Sequence, residues 1–287
     1  MIRSGSSVLS NIAIVSTVVV LIFFVFGCCT ATDGEQPYLV LYAFTEEGEL
    51  IRSNMSSVTV ETHLCREVTR GTVSGKDIVL AELGVGMNNA AMTTQKMIDE
   101  YNPRAVIVSG IAGAVDSSVR IGDIVVCRSW SVHDYGYIGA EGFTVRGTSV
   151  ALPGEDSLKR VTSFGVDDSL FSVVESLSAR ELSIAAIGDR TPQLRVGGAG
   201  VSGNTFIDSE EKRLWLSGEF GAMITDMESA SVAQVCAING VPFIAFRSAS
   251  DLAGGSGSET ARVEIEEFFV VAADNSSSIV LMFLENL

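Results

Sequence analysis

The chain has 287 residues, of which 47% are hydrophobic and 19% are charged, so it can bury a sizeable core and lacks the composition of a disordered protein. Its formal net charge of −16 argues against nucleic-acid binding, which requires a basic surface. Its five cysteines match neither a disulfide framework nor the spacing of a zinc site.

The N-terminal segment, residues 1–31, has the pattern of a targeting signal. Arg3 precedes an apolar run, Ile12–Gly27, and small residues lead up to Ala31. This order predicts a cleavable secretory signal with cleavage after Ala31. The remaining domain, 32–287, is then expected in the secretory pathway, extracellular or vacuolar, without stable membrane association. The alternative is a membrane anchor formed by an uncleaved signal, for which the apolar run is at the short limit.

Two glycosylation sequons follow that segment. They begin at Asn54 and Asn275, and in a secreted chain each could carry a glycan if it is exposed. The motif is short and common, so it adds little to the case for secretion.

The sequence after the N-terminal segment predicts a strand followed by a helix with acidic residues in its first turn. Tyr38–Phe44 is apolar throughout and indicates a buried strand, and 45–51 begins a helix. Acidic residues in a first turn stabilise the helix dipole, which is a sufficient structural reason for Glu46 and Glu47. The functional alternative is that one of them projects into a crevice at the strand end.

The next segments alternate between strands and helices. We predict a hairpin of Val58–Val73 with Ile78–Leu83, then a glycine turn at Gly84–Gly86 and a helix over Met87–Tyr101. Ala105–Val108 is a further buried strand, and it ends in small residues that would let the backbone approach a ligand closely.

The middle of the chain is less regular. Gly122-Asp123 is interpreted as a turn without a catalytic role, and His133 begins a glycine-rich, aromatic loop that runs to about Gly154. An ordinary loop histidine is the favoured interpretation of His133, with a lid residue as the alternative. An amphipathic helix is predicted over Asp168–Arg180, and a strand over Gln193–Val201.

The most informative stretch is Ile224–Asp251, which predicts strand, helix, turn and strand. Apolar residues recur three to four apart within 229–239, Gly240 suits a left-handed helix cap, and 241–246 is an apolar strand. Ligands bind beyond the carboxyl ends of strands in open α/β sheets, so Met227, Glu228 and Asp251 are expected to point into one crevice. The final helix is predicted over 259–285, with Ser276–Ser278 weakening its middle.

The sequence motif of this stretch resembles that of the nucleoside phosphorylase superfamily: D-M-E-S-A-S is followed by V-P-F-I-A-F-R-S-A-S-D. It is similar to the methylthioadenosine/S-adenosylhomocysteine nucleosidases, whose pattern is E-M-E-A-x-A followed by R-x-x-S-D. The D-L-A-G-G continuation also resembles the plant bark-storage and wound-inducible proteins. The resemblance implies an α/β, three-layer αβα fold with a central mixed, mostly parallel sheet.

Three further motifs resemble the same family. The segment 43–51 is similar to A-M-E-E-E-x-x-x-L, which puts Glu47 at the catalytic third acid. The segment 201–208 is similar to I-S-G-D-A-F-I-N, which implies that Phe206 stacks on the purine, with Ile207 beside it. The glycine loops containing Gly86 and Gly110 are implied to lie near the substrate.

The sequence also departs from the family pattern. Val108 stands where phosphorylases carry a phosphate-binding arginine, Ile111 replaces a serine, and Leu83 replaces a serine common in the bacterial nucleosidases. A phosphate dianion without a cationic partner is poorly stabilised, which favours water as the nucleophile.

The resemblance implies a purine nucleosidase, with a small-molecule purine nucleoside as its ligand and no metal or organic cofactor. Asp251 would assist the leaving base, Glu47 would activate water, Glu228 would hold the ribose hydroxyls and Met227 would pack on the sugar. A homo-oligomer is also implied. The alternative is a secreted storage or nucleoside-binding protein with weak or no activity, while a true phosphorylase is disfavoured by Val108.

Overall fold

The computed structural model describes residues 36–180, 182–257 and 259–287. The predicted signal segment and its cleavage site lie outside the described residues, so secretion and the boundaries 1–31 and 32–287 stay predictions.

The described chain alternates strands with helices. In chain order the elements are β1 Tyr38–Tyr42, α1 Thr45–Ser53, β2 Ser56–His63, β3 Arg66–Val73, β4 Lys76–Glu82, α2 Met87–Tyr101, β5 Ala105–Ala114, β6 Ile124–Val126, β7 Ser129–Val132, β8 Gly136–Gly139, β9 Gly142–Val145, β10 Thr148–Val150, β11 Lys159–Val161, β12 Phe164–Gly165, α3 Asp168–Ser178, β13 Leu194–Val196, β14 Ala199–Ser202, α4 Glu210–Phe220, β15 Ala222–Asp226, α5 Ser229–Asn239, β16 Phe243–Asp251 and α6 Ala261–Asn286.

A 12-stranded mixed sheet forms the centre of this domain, with the path β12-β7-β14-β15-β5-β1-β4-β3-β2 and β16, β6 and β13 attached beside it. Strand β1 is parallel to both β4 and β5, and β16 is parallel to β5. Strands β1, β5 and β16 are buried along their whole length, because helices cover the sheet. The α/β fold with a central mixed sheet, expected from the sequence, is confirmed.

Helices cover the sheet in two groups. Helix α6 packs on β16, on β5 and on α1, whereas α5 packs on α2 and on strands β14 and β7. Among the described residues, α6 is the one helix long and apolar enough to cross a membrane by composition, but 50% of its most apolar window is buried inside the protein. Packing against the sheet therefore accounts for its apolar character.

Several predicted elements differ in extent from the structure. The segment expected to form one arm of a hairpin is itself a hairpin, β2 with β3, and β4 adds a third antiparallel strand. Strand β16 does not stop at residue 246 but continues to Asp251, because β5 pairs with it as far as Asp251 and β6 pairs with it at Arg247 and Ser248. The aromatic loop after His133 contains a small hairpin, β8 with β9.

Helix α6 is continuous through the serine run that was expected to weaken its middle. Ser276 and Ser277 are fully buried, and their hydroxyls hydrogen-bond to groups on other elements. The Oγ of Ser276 donates to the carbonyl of Phe246 at 3.0 Å, and that of Ser277 donates to the carbonyl of Glu47 at 2.8 Å. The serines thus join α6 to β16 and to α1.

Candidate active site

A pocket lies at the carboxyl ends of strands β1, β5, β15 and β16. It contains about 500 Å³ of empty space, including solvent at its mouth. Its walls combine acidic residues, one arginine, polar residues and apolar residues: Phe44, Glu47, Val85, Ile111, Ala112, Gly113, Thr205, Phe206, Ile207, Thr225, Asp226, Met227, Glu228, Arg247, Ser250, Asp251 and Ile265. The structure therefore brings six of the eight predicted site residues to one pocket.

Glu47 lies in the first turn of α1 and is fully buried. One carboxylate oxygen, Oε2, accepts the backbone N–H of Ala43 at 2.7 Å, and the other, Oε1, accepts that of Ile111 at 2.8 Å. Burial raises the pKa of Glu47 above its usual value, although Arg247 and these backbone donors act in the opposite direction. The carboxylate is therefore fixed in place and more basic than an exposed glutamate.

Glu228 lies at the junction of β15 and α5. Its Oε1 accepts the backbone N–H of Gly86 at 2.9 Å, and its Oε2 accepts from Arg247 Nη2 at 3.3 Å. Burial raises the pKa of Glu228 to about 7, while Arg247 lowers it and Asp226 raises it further. A carboxyl group that titrates near neutral pH can either donate or accept a hydrogen bond there.

Asp251 lies at the last position of β16 and is almost fully buried. Its carboxylate accepts hydrogen bonds from the backbone N–H of Ala253 at 2.8 Å and from Ser250 Oγ at 2.9 Å. Burial raises the pKa of Asp251 to about 6, against the lowering effect of these two donors. Asp251 can therefore hold a proton under mildly acidic conditions.

Arg247 connects these acids and was not among the predicted site residues. Its side chain is 1% exposed, and its Nε lies 2.8 Å from Asp226 Oδ2. The Nη1 atom lies 4.0 Å from Glu47 Oε1. A buried guanidinium bonded to carboxylates offsets their charge, which is how several acids can be buried together. The R-x-x-S-D pattern contained this residue, but sequence alone did not show which acids it would meet.

The remaining predicted residues of the pocket supply apolar surface. Met227, Phe206 and Ile207 all line it. Phe206 is 49% exposed, which leaves its ring accessible, whereas Ile207 is buried. Phe44, which the sequence did not single out as a pocket residue, also lines the pocket and packs edge-on against Phe269 with ring centroids 5.5 Å apart.

Gly86 and Gly110 lie behind the acids and are not among the lining residues. Gly86 has a φ of 95°, where glycine is favoured, and donates its N–H to Glu228. At Gly110 an added Cβ would lie 2.6 Å from Glu47 Oε1 and would also meet Arg247. Both glycines make room for catalytic candidates, so the structure gives them a supporting position.

Two polar residues lie in surroundings that the sequence did not predict. His133 is fully buried, not on an ordinary loop surface, and neither ring nitrogen has a hydrogen-bond partner in the described part of the chain. Asp123 is more than a turn residue, since its buried carboxylate pairs with Arg190 at 2.5 Å and with Arg195 at 2.7 Å. Neither residue lines the pocket.

Comparison with known proteins agrees with this geometry. A family model described as the phosphorylase superfamily matches residues 37–285. The 5′-methylthioadenosine/S-adenosylhomocysteine nucleosidase of Staphylococcus haemolyticus is 32% identical over 84% of this chain and 96% of its own length. The nucleosidase of the same name from Lysinibacillus sphaericus is 30% identical over 86% of this chain and 98% of its own length.

A solved structure shares the fold. The crystal structure of 5′-methylthioadenosine/S-adenosylhomocysteine nucleosidase from Neisseria meningitidis, in complex with methylthio-immucillin-A, aligns with a TM-score of 0.72 and 27% identity. The alignment covers 88% of this chain and 100% of that one. The chain therefore belongs to the phosphorylase superfamily.

Proposed function

We propose that this protein cleaves the N-glycosidic bond of a purine nucleoside with water as the nucleophile. The observation that carries the proposal is the meeting of Glu47, Glu228 and Asp251 in one pocket that also has an exposed aromatic ring. Glycosidic cleavage needs an acid for the leaving group, a base for water and stabilisation of a cationic sugar. The pocket contains side chains suited to each role.

Asp251 assists departure of the base. Because burial raises the pKa of Asp251 to about 6, a fraction of the protein holds its proton near neutral pH. That proton, or the hydrogen bond it forms, neutralises the charge that develops on purine N7 as the bond breaks. Phe206 offers its exposed ring to the flat face of the base.

Glu47 activates the water molecule. Its carboxylate is held by three backbone N–H groups, those of Ala43, Phe44 and Ile111. A base with a pKa above that of an ordinary glutamate removes a proton from water more readily. The surroundings favour water over phosphate, because Val108 is fully buried in β5 and Ile111 presents an apolar side chain to the pocket.

Glu228 binds the ribose hydroxyls, and Met227 packs against the sugar. The carboxyl group of Glu228 is oriented by Gly86 and Arg247, which leaves a fixed acceptor for two adjacent hydroxyls. The names of the relatives support 5′-methylthioadenosine and S-adenosylhomocysteine as the first substrates to test. As further proposals, the protein acts in the secretory pathway after signal cleavage, and it forms a homo-oligomer.

The decisive experiment measures adenine release from methylthioadenosine by residues 32–287, with and without phosphate. We expect release that needs no phosphate and that Asp251→Asn abolishes. Formation of ribose 1-phosphate derivatives only in the presence of phosphate would instead indicate a phosphorylase.

A second candidate is a nucleoside-binding or storage protein on the same fold. The apolar side chains of Leu83, which is buried, and Ile111 favour it, since they remove polar contacts that the family pattern contains. A folded wild-type protein that releases no base from methylthioadenosine, S-adenosylhomocysteine, adenosine or inosine would support this candidate and exclude the nucleosidase.

A further inference from the structure

A second pocket lies beside the segment that follows Asp251. Leu252 and Gly255 form part of its wall, and Ala114 at the end of β5 forms another part. The pocket contains about 960 Å³ of empty space, measured as for the catalytic pocket with its 500 Å³. It is large enough for a small organic molecule, and the chemistry proposed above assigns no role to it.

The charge of this second pocket is opposite to that of the whole protein. Arg120, Arg190 and Arg213 line it, whereas Asp116 is its acidic lining residue. Asp123 pairs with Arg190, but it pairs with Arg195 as well, so one carboxylate serves two guanidinium groups. A local excess of arginine in a chain with a net charge of −16 attracts anions to this place.

Arg213 gives a more specific indication. Its Nη1 donates to the carbonyl of Val115 at 2.8 Å, and this bond holds the half-buried side chain in the wall of the pocket. A guanidinium that is already held in position loses less side-chain freedom when it binds an anion. Arg120 is exposed and forms no ion pair within the described ranges, so it is available to the same ligand.

We propose that this pocket, which we call the arginine pocket, binds a small organic anion through Arg213 and Arg120. Guanidinium groups bind carboxylate and phosphate oxygens with paired hydrogen bonds. Ile187, Leu252 and Phe268 supply apolar surface in the same pocket, so the anion carries an apolar body beside its charged group. The site is separate from the catalytic pocket, since no residue lines both.

The test is a direct binding measurement on residues 32–287 by isothermal titration calorimetry. Benzoate is the probe for a carboxylate with an apolar body, phenyl phosphate for a phosphate ester, and inorganic phosphate for the anion alone. The variants are Arg213→Gln and Arg120→Gln. Arg160→Gln is the matched control, because this exposed arginine lies on β11 and removes the same charge outside the pocket.

We expect saturable binding of benzoate or phenyl phosphate, at least tenfold weaker in Arg213→Gln, severalfold weaker in Arg120→Gln and unchanged in Arg160→Gln. If Arg213→Gln does not fold, the comparison of affinity between Arg120→Gln and the wild type tests the proposal. Tighter binding of benzoate than of phenyl phosphate would identify carboxylates as the ligand source, and the reverse order would identify phosphate esters. Equal affinity in all variants, binding of inorganic phosphate alone, or no saturable binding would overturn the proposal.

Discussion

Arg247 explains how three acidic side chains remain together in the interior. Its guanidinium lies 2.8 Å from Asp226, 3.3 Å from Glu228 and 4.0 Å from Glu47. Without a cation, each buried carboxylate would repel the others and take up protons. With it, burial still raises the pKa of Glu47 and Glu228, but the arrangement persists. The same contacts that position Glu47 and Glu228 therefore also affect the pKa of these two residues.

Replacing Glu47 with glutamine tests its proposed role as the base. Both carboxylate oxygens of Glu47 accept backbone N–H groups, so an amide at this position loses the basic oxygen and points a donor at a donor. We expect Glu47→Gln to lower kcat by at least about 100-fold, the scale of general-base catalysis. Initial rates of adenine release at saturating substrate measure this.

Glu46→Gln is the control, because it makes the same chemical change at the neighbouring, exposed position. We expect this variant to keep the wild-type rate. If Glu47→Gln were folded and equally fast, Glu47 would not be the base.

Asp251→Asn tests the raised pKa of Asp251 through the pH dependence of protein stability. Burial raises the pKa of Asp251 from 3.8 to about 6, so the folded protein binds a proton that the unfolded chain has released. The stability this group contributes is full below about pH 4 and is lost as the pH rises through 6. Asparagine has no such charge to bury. The gain in unfolding free energy from Asp251→Asn is therefore expected to be about 1 kcal/mol greater at pH 8 than at pH 5.

Urea unfolding of the wild type and of Asp251→Asn at both pH values measures this difference. Asp156→Asn supplies the comparison, because it makes the same chemical change at an exposed position. A gain that shrinks from pH 5 to pH 8 would mean that the pKa of Asp251 is not raised.

Helix α6 contacts the elements that carry the candidate catalytic residues through its buried serines. Ser276 Oγ accepts the N–H of Gly110 at 3.1 Å and donates to the carbonyl of Phe246 at 3.0 Å. Removing it leaves a buried N–H without this acceptor, which typically costs about 1–3 kcal/mol. We expect Ser276→Ala to lose that much unfolding free energy and to lower the rate of adenine release, as Gly110 adjoins Glu47 and Arg247.

Ser278→Ala is the matched control within the same helix. Ser278 is only half-buried, and alanine is the better helix former, so stability should stay equal or rise by about 0.5 kcal/mol. Equal losses in the two variants, seen by urea unfolding, would show that the buried hydroxyl of Ser276 has no special role.

The sequence predicted the bounds of an element well where those bounds depend on a few neighbouring residues. Helix α2 begins at Met87 and ends at Tyr101 as expected, α5 spans Ser229–Asn239, and Gly240 caps it with a φ of 67°. These boundaries depend on periodicity and on glycine, both visible in a short window. The length of β16 was missed because it depends on pairing with β5 and β6, two strands far away in the chain.

The site was predictable only in part, for the same reason. Family motifs indicated Glu47, Glu228 and Asp251, and the structure places all three in one pocket. Arg247 and its partners belong to different elements, so no local pattern pairs them. The serines of α6 were expected to weaken the helix because their hydroxyls favour competing local hydrogen bonds, whereas here the hydroxyls of Ser276 and Ser277 bond to other elements.

The whole molecule makes a prediction about secretion that combines sequence and structure. Asn275 is 1% exposed, and its side chain exchanges hydrogen bonds with the backbone of Ala185, so a glycan has no room there. Asn54 is exposed at the end of α1. When the full chain is expressed in a secreting eukaryotic host, we expect a mature protein that begins at Thr32 and carries a glycan at Asn54 but not at Asn275.

Peptide mass spectrometry before and after enzymatic deglycosylation identifies both features, and Asn54→Gln should remove the glycan while leaving the mature N-terminus unchanged. A protein that retains residues 1–31 in a membrane fraction would replace the cleaved signal with an anchor. A glycan on Asn275 in folded protein would contradict the burial of this part of α6, because the asparagine amide cannot bond to Ala185 and carry a sugar in the same place. The experiment thus tests the targeting segment and the packing of the last helix independently.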